Sequence, residues 1–173
     1  QLLLECFYGT EKAFYVSADV ANPPETPTDT AHLSLPESLS YLSVGDIIAM
    51  NRMNGRTRVL FRDNSLHNSF LVTERCDNYC VMCSQPPRRV QDDDLIEEIL
   101  AVIPRISDRT AEIGFTGGEP TLRGECFIEV LNQCREHHPN LAIHVLSNGR
   151  RFADSNFAEL WANVDHPDLM VGI

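Results

Sequence analysis

The sequence predicts a mixed α/β chain: a small β-rich unit over residues 1–65, then a parallel sheet with its helices over 66–173. Three observations predict this. Before residue 66 the apolar text comes only in short β-like runs separated by Pro, Thr and Asn-Gly. After it, short apolar runs alternate with stretches of helical period, which is how βαβ units and a parallel sheet read. The most unusual residues then fall in the loops after strands, where right-handed crossovers gather them at one edge of the sheet.

In chain order, "LLLECF" and "AFYVSADV" read as strands, and "ANPPETPTDT" (21–30) as a loop. "GDIIAM" (45–50) and "TRVLF" (57–61) read as two more, joined through the turn former Asn54-Gly55. His32 and His67 stand alone, and a surface or structural role is the expectation for each. "SFLVTE" (69–74) is the first strand of the second unit. In 91–106, Leu95, Ile96, Ile99, Leu100 and Ile103 follow helical spacing, with Asp92–Asp94 placed to cap the helix start. "EIGF" (112–115) is a strand. The next helix carries Phe127, Val130, Leu131 and Cys134 on one stripe and ends at Pro139. Cys134, and by the same default Cys126 and Cys6, are expected to be small buried apolar residues. "LAIHVL" (141–146) is a strand; Asp154 caps a helix burying Phe157, Leu160 and Trp161; "LMVGI" (169–173) begins a fourth strand.

Composition narrows the function. Hydrophobic residues make up 43% of 173, enough for a packed core. Fourteen Lys and Arg against 25 Asp and Glu give net −11, with no basic stripe, so no nucleic-acid partner is expected. No apolar run is long enough to span a membrane, and no secretory signal opens the chain. A cytoplasmic, reducing location is therefore expected, and the six cysteines are not read as a disulfide framework.

Three of those cysteines, Cys76, Cys80 and Cys83, lie in "RCDNYCVMC" directly after the first strand. A disulfide would strand the third thiol. Structural zinc wants four ligands, usually as two pairs, and the nearby "CREHH" (134–138) draws its cysteine from a buried helix face. Three thiolates on one loop suit an iron–sulfur cubane with one iron left free of protein ligands, an open position of the kind metal catalysis needs. A zinc or iron–sulfur module without catalysis remains the non-enzyme alternative. "TGGEP" (116–120) and "SNG" (147–149) follow the next two strands and meet the cysteine loop at the same edge.

Cys-x3-Cys-x2-Cys after a first strand, followed by "GGEP" and "SNG" in this order, resembles the radical S-adenosylmethionine superfamily. The resemblance implies a partial TIM-type barrel, of which residues 66–173 would hold the first three to four βα units at roughly 30 residues each. Later strands and most of the substrate cavity would lie outside this chain, which alone is expected to be inactive. The resemblance implies that Cys76, Cys80 and Cys83 ligate a [4Fe-4S] cluster. It implies that S-adenosylmethionine completes that cluster, and that Gly117, Gly118, Glu119 and Pro120 receive the cofactor's amine. Ser147 and Asn148 would line its ribose side. Met82 replaces the aromatic residue usual before the third cysteine and would cover the adenine.

A narrower likeness lies in "LVTERCDNYCVMCSQPP" (71–87), "GFTGGEPTL" (114–122), "HVLSNGRRFAD" (144–154) and "HPDLMVGI" (166–173), which resemble maturases of the His-Xaa-Ser system. It implies an enzyme whose 5′-deoxyadenosyl radical modifies a ribosomally made peptide bearing His-Xaa-Ser repeats. A partner radical maturase and an external electron donor would accompany it. Within enzymes the alternative is the same chemistry on a small molecule or nucleoside. No catalytic residue toward the substrate can be assigned.

Overall fold

A computed structural model describes residues 2–5, 13–16, 37–43, 45–50 and 57–173. The chain divides into two compact units, Gln1–Ser65 and Leu66–Ile173. The first holds two antiparallel pairs, β1 (Leu2–Glu5) with β2 (Ala13–Val16), and β3 (Ile47–Met50) with β4 (Thr57–Phe61). Ile48 and Phe61 are buried in it. Buried Asp46 ties the second pair together, accepting from the Ser43 and Asp63 amides and from Arg62 Nε. The expected 21–30 loop and Asn54-Gly55 turn, with His32 and Cys6, lie outside the described residues.

The second unit is a four-stranded parallel sheet in the order β5-β6-β7-β8: Asn68–Thr73, Glu112–Gly117, Ala142–Leu146 and Leu169–Gly172. Helices α1 (Asp94–Val102), α2 (Glu125–His137) and α3 (Ser155–Ala162) fill the crossovers. Strand order follows chain order without a reversal. That is the winding of a barrel, whereas a doubly wound sheet turns back at a switch point.

The period of two decides which residues meet the helices. Phe70, Phe115, Val145 and Val171 stand in register across the sheet, and the first three are buried. Phe115 stacks on Phe70 at 5.7 Å and meets the α2 residue Phe127 edge-on at 5.5 Å, geometries that aromatic quadrupoles favour. Leu95, Ile96, Ile99 and Val102 of α1, and Val130, Leu131 and Cys134 of α2, complete the core. The alternate positions Ser69, Gly114, His144 and Met170 form a second row, half-buried or exposed.

Several local expectations need correction. Asp92 does not cap α1, and Asp93, the N-cap residue, makes no side-chain cap bond. Asp92 is drawn instead to the end of β5, as the site below shows. Asp154 does cap α3, accepting from Asn156 N. That helix buries Phe157 deeply, whereas Trp161 is half-buried and Leu160 is 38% exposed. Cys126 is exposed on the first turn of α2. His67 is also exposed, with Nδ1 2.7 Å from Glu112 Oε1. No helix among the described residues is long and apolar enough to cross a membrane.

Candidate functional site

The loops after β5, β6 and β7 meet at the C-terminal edge of the sheet, and the contacts among them are specific. At the end of β5 the fully buried Thr73 donates its hydroxyl to Asp92 Oδ2 (2.7 Å), which also accepts from Glu74 N (2.7 Å). Asp92 Oδ1 lies 3.0 Å from Arg75 Nε and 3.6 Å from Arg123 Nη1. Arg123 in turn reaches Asp93 at 2.7 Å. The acids read from sequence as a helix cap therefore fasten the base of the cysteine loop, neutralising two guanidinium groups as they do. Arg88 N donates to Glu74 O, and its side chain donates to the Glu74 carboxylate at 2.8 Å. Residues 74 and 88 thus close a stem, and the three cysteines lie between them.

Within that loop Cys76 is half-buried, and Cys80 and Cys83 are exposed. All three are free thiols. Cys83 N donates to Cys80 O, turning the chain between the second and third thiols. Asn78 N points at Cys76 Sγ from 3.4 Å, and the Cys83 thiol donates to Gln85 O. Tyr79, Val81 and Met82 are 74%, 107% and 93% exposed, so Met82 covers no other side chain of the site.

The glycines that end β6 and open the loop after it are required by the chain itself. Gly118 N donates to Thr73 O (2.7 Å) and Glu119 N to Arg75 O (2.8 Å). A Cβ on Gly117 would sit 2.3 Å from Thr73 O, and one on Gly118 2.1 Å from Arg75 O. Gly117 also has φ +134°, which side-chain-bearing residues avoid. Both glycines thus let the second loop lie directly on the stem of the first.

Glu119 is 1% exposed. Its Oε1 accepts from Thr121 N (3.1 Å), Thr121 Oγ1 (2.6 Å) and Ser147 Oγ (2.8 Å), and its Oε2 from Asn148 N (2.6 Å). A buried carboxylate is tolerated only when donors replace its water, and these four do so. Pro120, also buried, opens the short 3-10 turn that brings Thr121 round. Glu119 therefore joins the loops after β6 and β7. Asn148 continues the chain of contacts, its Nδ2 donating to Asp77 Oδ1 (2.8 Å) and lying 4.0 Å from Cys76 Sγ.

Of the residues singled out from sequence, Gly117, Gly118, Glu119, Ser147, Asn148 and Cys76 come together, while Cys80, Cys83 and Met82 lie on the outer arc of the loop. Sequence reasoning missed Thr73, Asp77, Thr121 and Arg150. Thr121 could have been found from "GEPT", where a hydroxyl follows a buried acid at hydrogen-bonding distance. "CREHH" does not assemble. Burial pushes the Cys134 thiol up to about 12, and buried His138 donates Nε2–H to Ile103 O.

Fold and site together define a barrel-type α/β protein whose candidate functional residues lie at the strands' C-terminal edge. The family model described as Radical SAM superfamily matches residues 70–171. The match covers more than half of the chain, which belongs to the radical SAM superfamily. No curated protein matches it. Membership implies a [4Fe-4S] cluster and S-adenosylmethionine. Among the described residues no set of three His, Cys, Asp or Glu side chains closes on a single metal ion. A cubane asks something different, because each thiolate binds its own iron. Three free thiols on one loop, with an amide already directed at Cys76 Sγ, fit that group in donor chemistry.

Proposed function

We propose that this chain forms the cluster- and cofactor-binding part of an enzyme that modifies a ribosomally made peptide. The observation that carries the enzymatic reading is the interlocking of three strand-end loops around Cys76, with two further free thiols on the same loop. Cys76, Cys80 and Cys83 would hold three irons of a [4Fe-4S] cluster. Together with S-adenosylmethionine the cluster would supply one-electron radical chemistry.

The protein's own residues bind and orient. The Gly117–Pro120 loop lies on the backbone that leads into the first thiol and would receive the cofactor's amine, and Ser147 and Asn148, bound to its Glu119, would line the ribose side. Glu119 serves by fixing both loops, because its oxygens already hold four donors. Met82, long, polarizable and exposed, is available to cover a flat ring once the cofactor is bound. The peptide substrate is supported by the likeness of residues 71–87, 114–122, 144–154 and 166–173 to His-Xaa-Ser maturases. A partner maturase and an external electron donor belong to the same reading.

Anaerobic reconstitution with iron and sulfide tests the cluster and cofactor. The reduced protein is expected to show a cluster EPR signal that changes on adding S-adenosylmethionine, and the Cys76/Cys80/Cys83→Ala variant should show none. A wild-type signal indifferent to the cofactor, or iron held equally by the triple variant, overturns this part. Co-expression with a His-Xaa-Ser repeat peptide tests the substrate: a changed peptide mass supports it, and an unchanged mass in the presence of active enzyme refutes it.

A further inference from the structure

The cysteine loop has little regular structure of its own. Its stem is closed at Glu74 and Arg88, and from within it is shaped by the Cys83 N to Cys80 O turn and the Asn78 amide on Cys76 Sγ. Fixing each residue of such a segment costs conformational entropy, so contacts from outside decide its shape. At Asp77 and Asn78, the two residues after the first cysteine, those contacts come from the loop after β7. Arg150 Nη1 donates to Asn78 Oδ1 (2.8 Å) and to Asp77 O (3.2 Å), and lies 3.6 Å from Asp77 Oδ2. Asn148 Nδ2 holds the other oxygen of Asp77 (2.8 Å). The Asn148 amide is oriented for this, because its Oδ1 accepts from Arg150 N (3.0 Å) and its backbone N–H is bound by buried Glu119.

We propose that Arg150, with Asn148, is a positioning residue that holds the Cys76–Cys80 half of the loop in the shape that binds the cluster. The inference rests on the reading of Cys76, Cys80 and Cys83 as cluster ligands. The links run without a gap from the sheet to the thiol: Glu119 to Asn148, Asn148 to Asp77, Arg150 to Asn78, and the Asn78 amide to Cys76 Sγ. Charge favours the same arrangement. The guanidinium of Arg150 is a cation placed against the Asp77 carboxylate from the neighbouring loop. Yet Arg150 is 59% exposed, and exposed ion pairs contribute little to global stability. Its removal is therefore expected to act on the loop and not on the fold.

The test compares Arg150→Ala, Arg150→Lys and Arg151→Ala with wild type. Arg151 pairs with Asp154 and lies over Phe157, away from the cysteine loop. Two readouts are taken. In the apo protein, alkylation of Cys76 relative to exposed Cys126 is measured by mass spectrometry. In the reconstituted protein, iron retained after desalting and the EPR line shape are measured. Arg150→Ala should raise relative Cys76 labelling and lower retained iron, each by roughly two- to fivefold, with an unchanged melting temperature. Arg150→Lys should recover most of both, because the two hydrogen bonds converge on one nitrogen, which an ammonium can replace. Arg151→Ala should match wild type.

Wild-type values of both readouts in Arg150→Ala overturn the inference while leaving the cluster assignment standing. If wild-type iron does not depend on the three cysteines, the cluster reading fails and the inference falls with it. A melting temperature lowered equally in Arg150→Ala and Arg150→Lys, with no recovery of labelling by Lys, assigns Arg150 a merely structural role and also overturns the proposal.

Discussion

Replacing Glu119 by Gln removes one acceptor from a side chain that holds four donors. With the amide oxygen left facing Thr121 and Ser147, the new NH2 group faces Asn148 N–H, which sits 2.6 Å from the present oxygen. Two donors then oppose each other in a buried place. An unsatisfied buried N–H costs about 1–3 kcal/mol, and hydrogen bonds to a neutral acceptor are roughly half as strong as those to a charged one. Relief of the carboxylate's desolvation offsets part of this loss. The net expectation is a destabilisation of about 2–4 kcal/mol, a shift of about 1–2 M in the urea midpoint for a domain of this size. The assay is built in: Trp161, the single tryptophan, packs within 6.2 Å of the Phe127, Phe152 and Phe157 rings. Its fluorescence follows the second unit of the whole chain. Glu119→Ala should cost more than Glu119→Gln. A midpoint for apo Glu119→Gln within about 0.2 M of wild type, under 0.5 kcal/mol at the usual slope, would refute the reasoning. Glu119 would then be free to serve only a bound amine, a role that apo stability does not report.

Three further outcomes follow from the same contacts. Gly118→Ala places a methyl group against the Arg75 carbonyl, backbone that cannot step aside, so a loss above about 2 kcal/mol or insoluble expression is expected; wild-type stability would contradict the close approach. Asp92→Asn turns one acceptor into a donor facing Arg75 and Arg123, with an expected cost of about 2–3 kcal/mol by urea unfolding and faster proteolysis of the cysteine loop. Cys134 is neutral when folded, because burial raises it from 9.0 to about 12. Its contribution to stability is thus complete below pH 9 and is lost as the unfolded thiol ionises, by about 1.4 kcal/mol per pH unit between 9 and 12. Comparing urea unfolding of wild type and Cys134→Ala at pH 8 and pH 10 checks this, and parallel pH dependences would count against it.

The strands and helices were legible because their signals are local: period two in "EIGF" and "LAIHVL", and a 3.6 period through Phe127, Val130, Leu131 and Cys134. The convergence of three loops was also legible, since right-handed crossovers leave no other place for them. What the loops do to one another was not. Three acids before a helix read as a cap, but Asp92 finds better partners in Thr73 and Glu74 N, 19 and 18 residues earlier in the chain. The glycines of "GGEP" also let the chain approach the Thr73 and Arg75 carbonyls, a contact between loops that the motif alone does not announce. Arg150 carried no signal at all, because its meaning depends on Asp77 and Asn78, more than 70 residues away. Cys126 falls one residue before the stripe headed by Phe127, and turning it outward costs the core nothing.

The stem at Glu74 and Arg88 has a consequence for exchange of parts. The chain enters and leaves the cysteine loop at two fixed points, and across residues 79–85 its side chains project into solvent. Lengthening a loop between fixed ends adds little entropy cost, about 0.6 kcal/mol per doubling. Residues 84–87, between the third thiol and the closing Arg88, can therefore be lengthened or exchanged as a cassette while the spacing of the three cysteines is kept. The span from Cys76 to Asn78 cannot, because the loop after β7 already grips it through Asn148 and Arg150.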